Sequence, residues 1–487
     1  MTAWPTLAFA RAMSGMMRRR IAAAVGLSLL VTAVEASGVL LLTQLLTLAG
    51  LGAGGAAGAL SQGVERVFRA AGVAPALGPV LVVFVAAAVA TALLQRAETL
   101  ITHRIAQEAA LHVRTRLYRA IAAARWLPLA RARGSDLLNG LTSESDRVGS
   151  AASYMVSLFV HGLVSAAYLA LALRVSPALT AVALACGAVL LLIMRRQRAA
   201  ARRAGESLST ASAEVMNAAS EHLGALKVVK SYGAEERNAR IFAEAAERSV
   251  SVHLLAFRAY ADARAGFLTG SVALLAIVTW LALEVLHVSG ATVLLLVFLF
   301  YRLVPKLAHL QTIWQYLAHD LPAWERVNER VVALEAEREA LAAPAGRVEL
   351  ARSIRFDGVS FAYEAGRGDA VDGLALEVEA RRTTAIVGPS GAGKTTVADL
   401  VMGLVSPRGG RIVVDGRPLD ESWLRAWREG IGYVAQDTLL FNDTVLANLL
   451  WARPEASEAE VWEALRLAAA EGFVAALPDG VATVIGE

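Results

Sequence analysis

The sequence contains 487 residues, of which 56% are hydrophobic and only 18% are charged, and its mean hydropathy is +0.50. This apolar excess lies mostly before residue 320 and excludes an ordinary soluble globular protein. The net charge of +4 comes without a separate basic stripe, so we expect no nucleic-acid partner. The single cysteine, Cys186, excludes an intrachain disulfide and a thiolate metal cluster.

The apolar residues form runs that predict a polytopic α-helical membrane domain, because about 20 apolar residues in a helix cross a bilayer of about 30 Å. The six predicted spans are 21–49, 77–94, 151–173, 175–194, 265–283 and 291–304. The first run follows three arginines, but it is far longer than the ~7–15 residues of a signal-peptide core. Short connections after the third and fifth spans predict tight hairpins on one side of the membrane, with the connection 50–72 on that same side.

The arginines predict the orientation of these spans. Two long polar segments, 95–150 and 195–264, carry many arginines. The opposite connections contain only Arg66, Arg69 and Arg174. The positive-inside rule therefore places both long segments and both termini in the cytoplasm.

Each long polar segment has a helical pattern and is too short for a domain of its own. We predict two hairpins of helices that extend beyond the bilayer. Their turns are expected near Pro128 and Gly134 in the first and at 231–233 in the second. These turns either contact a cytoplasmic domain or simply cap their helices.

The character of the sequence changes near residue 341. A helical pattern at 317–341 is broken by Pro344 and Gly346. Beyond it, apolar residues alternate with polar ones around Asp357-Gly358, which predicts a β-hairpin. The predicted parts are a transmembrane domain at 1–341, a linker at 342–347 and a second domain at 348–487.

The second domain contains Gly388-Pro-Ser-Gly-Ala-Gly-Lys-Thr395, which fits the phosphate-binding pattern G-x-x-x-x-G-K-[ST] at every fixed position. A β-rich run at 383–387 precedes it and a helical pattern at 396–404 follows, as in an α/β P-loop NTPase. The glycines let backbone N–H groups point at phosphate oxygens, and the helix N-terminus adds positive charge. We predict ATP binding, with Lys394 on the phosphates and Thr395 on Mg²⁺. The alternative is a chance glycine turn before a helix.

With these segments in this order, the chain resembles the ATP-binding cassette (ABC) exporters, which fuse a six-helix membrane domain to one ATPase domain. The resemblance covers nearly the whole chain and includes further motifs in the expected order. Four parts of the second domain are similar to family motifs. Residues 360–363 resemble the loop that stacks on adenine, 433–437 the Q-loop, and 441–448 the segment after the Q-loop. Residues 477–480 with 483–487 resemble the approach to the signature motif.

The resemblance implies roles for individual residues. Tyr363 would stack on adenine, while Gln436, with Lys394, would act in catalysis by contacting Mg²⁺ and the attacking water. The implied nucleotide-binding residues are Tyr363, Gly388, Pro389, Ser390, Gly391, Ala392, Gly393, Lys394, Thr395 and Thr396, and the implied Mg²⁺ ligands are Thr395 and Gln436. Two segments similar to coupling regions make Asp136 and Tyr232 the expected coupling residues. Without the resemblance, the sequence around Tyr363 fits a residue that packs in the core, and the sequence around Gln436 fits a residue in a surface turn.

The sequence departs from the family pattern at its end. Family members continue into a signature motif, a strand ending in a metal-holding Asp and a catalytic Glu, and a later His; none of these occurs before Glu487. Asp415 ends an apolar run and is a candidate substitute for the metal-holding Asp, although Asp415-Gly416 is typical of a tight turn. We therefore expect an incomplete ATPase domain that is inactive alone. A fragment of a longer protein explains this better than a natural pseudo-subunit.

The function implied by the resemblance is ATP-driven export or flipping of a hydrophobic or amphipathic substrate across a bacterial cytoplasmic membrane. ATP would lie between two such ATPase domains, so the expected partner is a second half-transporter, in a homodimer or heterodimer surrounded by membrane lipid. The alternatives are a catalytically incomplete regulatory subunit of a heterodimer and a membrane-anchored ATPase without transport. An importer is disfavoured, because importers of this superfamily usually carry the membrane domain on a separate chain.

Charged residues in the spans are candidates for the substrate path, because intramembrane charges are costly and commonly functional. Glu35 lies near the middle of the first span, and Arg302, Lys306 and His309 follow one another at helical spacing on the sixth. The basic residues fit either an anionic or lipid head group or the snorkelling end of a helix. Glu35 fits equally well a polar contact between helices.

Overall fold

The computed structural model describes residues 3–48, 55–70, 72–193, 211, 214–215, 218–219, 221–285, 287–288, 290–339, 348–364, 366, 368–436 and 440–486. The chain divides into two compact units, Met1–Arg338 and Glu339–Glu487. The first unit is helical, and the second combines strands with short helices. The predicted linker at 342–347 lies outside the described residues.

Long helices make up the first unit, because its apolar runs continue into polar helical segments without a break. The described helices are α1 (Ala3–Leu48), α2 (Gly55–Ala70), α3 (Leu77–Ala123), α4 (Trp126–Arg131), α5 (Gly134–Asn139), α6 (Ser145–Val175), α7 (Pro177–Ile193), α8 (Leu226–Ser231), α9 (Glu235–Trp280) and α10 (Gly290–Ala336). A π-helical turn, Gly140–Glu144, joins α5 to α6, and another, Leu281–Val285, follows α9.

Five helical segments in the described part of the chain are long and apolar enough to cross a membrane. They are Met17–Gly38, Leu77–Ala123, Asp136–Val175, Ala265–Val285 and Val293–Ala336. Each overlaps a predicted span, and the predicted span 175–194 corresponds to the shorter apolar helix α7. The prediction of a polytopic helical membrane domain is therefore confirmed.

The first tight connection has a clear local cause. Helix α6 ends at Val175, Ser176 has an extended backbone, and α7 begins at Pro177. Proline suits the first position of a helix because it needs no N–H partner there. The Ser176 hydroxyl accepts a hydrogen bond from the Leu179 amide at 3.4 Å, as an N-cap residue does.

The closest helix packing joins α10 with α6, α1 with α3, and α3 with α6. Small residues allow it: a Cβ at Gly149 would collide with the Ala106 carbonyl, so α3 and α6 approach each other backbone to backbone. Buried apolar side chains such as Ile105, Leu117 and Leu321 fill the space between these helices. The resulting core lies among α1, α3, α6 and α10.

One helix differs from the prediction. The sixth span was predicted to end at residue 304, with a separate helix at 317–341. Instead, α10 is continuous over Gly290–Ala336 and contains Pro305 and Pro322. A proline removes one backbone hydrogen bond and need not end a helix that neighbours hold in place. The predicted span 291–304 and most of the helical pattern at 317–341 thus belong to one helix, which packs against α6.

The second unit contains two antiparallel sheets in its described part, of four strands in the order β2-β1-β3-β4 and of two strands, β5-β6. The strands are β1 (Ser353–Phe361), β2 (Val371–Glu379), β3 (Gly409–Val414), β4 (Arg417–Pro418), β5 (Asp443–Thr444) and β6 (Val484–Ile485). The helices are α11 (Lys394–Val401), α12 (Leu424–Arg428), α13 (Val445–Leu450), α14 (Glu458–Leu467) and α15 (Glu471–Ala475), with a 3-10 turn at Gly480–Ala482.

The hairpin predicted at Asp357-Gly358 was wrong, because both residues lie inside β1. Phe356 pairs with Leu376 and Val359 with Leu374, so one extra residue of β1 forms a bulge. Gly358 has φ +62°, which a Gly adopts without strain in a bulge as readily as in a turn. The Asp-Gly pair indicates a residue with positive φ, but it does not distinguish a bulge within a strand from the turn of a hairpin.

The strand predicted at 383–387 is not formed, and the apolar segment 431–434 before the predicted Q-loop residue is likewise not a strand. Both segments lack regular strand structure, and the side chains of Val387 and Val434 are 92% and 89% exposed. A strand needs a neighbour that satisfies its backbone hydrogen bonds. No strand among the described residues pairs with either segment.

Asp415 takes a structural position rather than a metal-binding one. It lies in the turn after β3 with φ +51°, and its carboxylate accepts hydrogen bonds from the amides of Ala351, Arg352 and Ser353 at 2.7, 2.6 and 3.0 Å. The tight turn predicted at Asp415-Gly416 is thus confirmed. Partial burial raises the pKa of Asp415, but these three hydrogen bonds and the charge of Arg352 outweigh it and leave the pKa below its ordinary value.

We expect Asp415→Asn to destabilise the second unit by about 1 kcal/mol at neutral pH, because an amide replaces an acceptor that serves three N–H groups. Asparagine tolerates positive φ, so the substitution isolates the loss of the carboxylate. Since the folded-state pKa is lowered, the stabilisation is present above the unfolded pKa of about 3.9 and is lost as the pH falls through the folded value. Melting curves between pH 7 and about pH 3 should therefore converge for the two proteins. A pH-independent difference in melting temperature would contradict this.

Candidate nucleotide site and membrane polar cluster

The predicted phosphate loop has the backbone geometry that its glycines allow. Gly391 and Gly393 both have φ +82°, and Gly393 is the residue before α11. A Cβ at Gly393 would collide with the Ala370 carbonyl at the start of β2, so no larger residue fits there. The first amides of α11 have no partner within the helix, and the loop presents them as an anion site.

Lys394 lies at the centre of this loop. Its ammonium donates hydrogen bonds to the carbonyls of Gly388 and Pro389 at 2.9 and 2.7 Å. The positive charge is therefore held beside the loop amides, and the loop curls around it. The arrangement fits the predicted contact with nucleotide phosphates, which stays a prediction.

Tyr363 lies against the helix that follows the loop. Its hydroxyl is 3.2 Å from Thr396 Oγ1 and donates to Asp399 Oδ2 at 3.2 Å. Its ring packs edge-on against Phe361, with centroids 5.0 Å apart. Burial, with the Asp399 carboxylate, raises the pKa of Tyr363, so the phenol stays protonated and can donate. Both the packing role and the stacking role remain compatible with this position.

The proposed metal ligands are oxygen donors of the kind Mg²⁺ prefers. Thr395 is the second residue of α11, its side chain is exposed, and within the described residues its hydroxyl has no hydrogen bond. A hydroxyl directly after the lysine that is predicted to bind phosphate fits the predicted contact with a magnesium ion. Gln436 is exposed and likewise has no hydrogen-bond partner in the described part of the chain.

Of the two predicted coupling residues, Asp136 lies in a short helix and Tyr232 lies in a turn between helices. Asp136 is in α5, and its carbonyl accepts a hydrogen bond from Arg330 at 3.0 Å. Tyr232 follows α8, is 81% exposed, and precedes Gly233 at φ +60°. Sequence reasoning missed Glu144, which accepts hydrogen bonds from Arg326 at 2.7 Å and Arg330 at 3.3 Å and ties the Asp136 region to α10.

Glu35 is buried and belongs to a polar cluster among four helices. It accepts hydrogen bonds from Gln95 at 2.9 Å and from the Tyr168 hydroxyl at 2.9 Å, and it pairs with the Lys306 ammonium at 3.1 Å. Lys306 also lies 5.6 Å from the Tyr168 ring centroid. The structure thus brings together two of the predicted path residues, Glu35 and Lys306. The side chain of Arg302 lies outside the described part of α10.

Sequence reasoning missed the partners in this cluster, Gln95 and Tyr168. It also missed Ser28, Glu98 and His161 in a neighbouring set. Ser28 donates to Glu98 at 3.0 Å, and the His161 ring lies 4.8 Å from the ring of His309. A signal was present: these residues recur at separations of three or seven on their helices, so they share a face. Only the positions on α1 and α10 had been noticed, because charges stand out most in apolar runs.

Comparison with known proteins reports on both units. The family model of the ABC transporter transmembrane region matches residues 22–302, and that of the ABC transporter matches residues 371–479. An ATP-dependent lipid A-core flippase of Chromobacterium violaceum is 33% identical over 361 residues, which cover 72% of this chain and 60% of the flippase. A mycobactin import ATP-binding/permease protein of Mycolicibacterium thermoresistibile is 40% identical over 173 residues, 34% of this chain and 29% of that protein.

A solved structure of a bacterial Atm1-family ABC exporter with ATP bound has a similar fold. It superposes with a TM-score of 0.72 at 23% identity, covering 97% of this chain and 81% of that one. At this identity the likeness concerns the fold. The chain spans about three fifths of the length of the lipid A-core flippases that it matches.

Proposed function

The chain belongs to the ABC transporter family, and we propose that it is a half-transporter that uses ATP to export or flip a hydrophobic or amphipathic substrate. It is an integral membrane protein with a membrane-spanning domain fused to an ATP-binding domain. The observation that carries the proposal is the glycine loop Gly388–Thr395, in which Lys394 is held at the N-terminus of α11. ATP supplies the free energy, and the polar cluster around Glu35 supplies candidate substrate contacts.

The proposed partner is a second half-transporter, because ATP bound between two ATPase domains draws them together and its hydrolysis releases them. Phosphate contacts to Lys394 and the loop amides would favour the closed pair. The Asp136 and Tyr232 turns would then pass the motion to the helices. Magnesium would be held by Thr395 and Gln436, where it would neutralise charge on the phosphates.

The proposed location is the cytoplasmic membrane of a bacterium, with both termini and the ATP site in the cytoplasm. The distribution of arginine supports this orientation. The relatives named above are bacterial proteins. One of these relatives is named as an importer, so the direction of transport is a proposal to be measured.

A polypeptide restricted to residues 1–487 is proposed to bind ATP without turning it over. Phosphoryl transfer needs a held metal and a positioned water in addition to a phosphate cradle. Asp415, the candidate substitute for the metal-holding Asp, uses its carboxylate on three backbone amides instead. Steady hydrolysis by this polypeptide above the rate of its Lys394→Ala variant would contradict this part of the proposal.

The experiment that tests the function uses the native protein, purified from its source membranes and reconstituted in liposomes of the lipids extracted from those membranes. We expect ATP hydrolysis to be stimulated by the transported lipid or amphiphile. We also expect fluorescent lipid analogues, or the amphiphile itself, to change sides only when ATP is present. ATP hydrolysis without any ATP-dependent movement would favour the anchored ATPase instead.

A further inference from the structure

Eight polar residues of the membrane domain form two layers, and each layer has one residue on each of α1, α3, α6 and α10. The first layer consists of Glu35, Gln95, Tyr168 and Lys306. The second layer consists of Ser28, Glu98, His161 and His309. On each helix the two residues are three or seven positions apart, so they share a face and lie one or two turns from each other. The second layer is therefore a neighbour of the first along the bundle.

The first layer is satisfied by its own members. The Glu35 carboxylate is 3% exposed, and it accepts from an amide, a phenol and an ammonium group. The Lys306 charge is neutralised by this carboxylate. A buried charge pair with its hydrogen bonds in place needs no ligand.

The second layer is not satisfied in this way. Glu98 accepts one hydrogen bond, from the neutral Ser28 hydroxyl, and has no ion pair within the described residues. The ring nitrogens of His161 and His309 have no hydrogen-bond partner in the described part of the chain, although the two rings are in contact. A carboxylate in a membrane domain is costly without a counter-charge, so this layer has unused capacity to bind.

Ser165 adds an independent observation. It lies on α6, four residues after His161 and three before Tyr168, on the side of the helix that carries both layers. Its side chain is buried, the residue being 6% exposed, and its hydroxyl has no hydrogen-bond partner among the residues that the structure describes. Leaving a buried hydroxyl unpaired costs roughly 1–3 kcal/mol, whereas a helical serine can usually bond the carbonyl of the preceding turn. The hydroxyl is available to a group that the protein itself does not provide.

The charges indicate what that group is. The side chains described in the two layers include two carboxyl groups and one ammonium group. This ammonium pairs with Glu35, so Glu98 is left without a cation of its own among them. An anionic head group would be unfavourable beside the acidic Glu98 side chain. Lys306 could not pair with that head group, because it is already paired with Glu35. A protonated amine would neutralise Glu98 and donate further hydrogen bonds to serine and histidine acceptors.

We propose that Ser28, Glu98, His161, Ser165 and His309 form a site for the protonated amine of an amphipathic substrate. The inference rests on the proposed transport function and assigns the substrate class: a cationic amphiphile. The hydrocarbon part would lie along the apolar faces of the helices, and the amine would lie beside Glu98.

Binding to the native protein in lipid nanodiscs, without ATP, tests the site. A fluorescent rhodamine ester cation is the probe, and dodecylamine, dodecanol and dodecyl phosphate compete with it. These competitors share one hydrocarbon body and differ in charge. We expect dodecylamine to compete at least tenfold more strongly than the other two. Equal competition by dodecyl phosphate would overturn the proposal.

Substitutions locate the site. Glu98→Gln should weaken dodecylamine binding at least tenfold, whereas Glu98→Asp should retain most of it. The matched control is Glu108→Gln on the same helix, which removes the carboxylate that pairs with Arg20 at 2.5 Å and should leave binding unchanged. A change of less than twofold in Glu98→Gln would overturn the assignment.

Ser165→Ala separates a binding role from a structural one. Removing an unpaired buried hydroxyl should raise the melting temperature of the protein without ligand and at the same time weaken dodecylamine binding several-fold. Unchanged amine affinity in this variant would count against the site even if Glu98→Gln failed to fold. ATP-dependent transport of an anionic amphiphile that is insensitive to Glu98→Gln would refute this inference and leave the proposed transport function intact.

Discussion

Replacing Lys394 with alanine is expected to lower the affinity of the protein for ATP about 100-fold and to stop ATP hydrolysis. The ammonium is held by the Gly388 and Pro389 carbonyls in the middle of the loop, where it would face the phosphates. Charge-assisted hydrogen bonds are worth roughly 1.5–3 kcal/mol each, and every 1.4 kcal/mol is about a factor of ten in affinity. Titration of the native protein with a fluorescent ATP analogue measures the effect.

Two controls make this result specific to the loop. Lys394→Arg keeps the charge but replaces a compact ammonium with a planar fork, so it should restore only part of the affinity. Lys230→Ala removes an exposed lysine that pairs with Glu235 at 3.5 Å in the membrane domain, and it should leave ATP binding unchanged. An affinity within twofold of the wild type in Lys394→Ala would mean that the loop does not bind phosphate through this residue.

Replacing Glu144 with glutamine is expected to destabilise the membrane domain by about 1–3 kcal/mol, because it removes the buried carboxylate to which Arg326 and Arg330 donate. The Glu144 side chain is 6% exposed and accepts from Arg326 at 2.7 Å and from Arg330 at 3.3 Å. Arg330 also donates to the Asp136 carbonyl at 3.0 Å, so the variant should loosen the turn that contains Asp136. The change in tryptophan fluorescence on heating follows unfolding, since Trp324 lies in the same core.

An exposed ion pair that involves α10, the helix of Arg326 and Arg330, provides a control for the effect of burial. Glu335 pairs with Arg116 at 2.9 Å, but both side chains are 45% exposed. Glu335→Gln should cost at most about 1 kcal/mol, and high salt should abolish the difference, whereas salt should not rescue Glu144→Gln. Equal losses of stability in the two variants would show that burial does not govern the Glu144 pair.

The parts of the protein that could be predicted are those encoded locally. The membrane spans follow from long apolar runs, and the phosphate loop follows from eight contiguous residues whose glycines permit positive φ. The Ser176-Pro177 connection and the turn at Asp415-Gly416 are local in the same sense. In each case the residue types at the turn or in the run are enough to favour the conformation, although the Asp415 carboxylate is bonded by the distant amides of 351–353.

The wrong predictions share a cause. The strands at 383–387 and 431–434 would need partners from elsewhere to satisfy their backbone groups, and apolar β-branched residues alone do not provide them. Asp357-Gly358 has the composition of a turn, yet pairing with β2 and β3 on both sides makes it a bulge. Helix α10 likewise continues through Pro305, and it packs against α6.

By itself, the sequence determined that the protein has a helical membrane domain and a phosphate loop, because hydrophobic periodicity and backbone freedom act over a few residues. Only the tertiary structure decided which intramembrane charges meet. Glu35 and Lys306 lie on the first and last long helices of the membrane domain. Because they are far apart along the chain, the residues around each of them do not indicate that they pair. The same holds for Glu98, which has no charged partner within the described residues, as only the assembled four helices show.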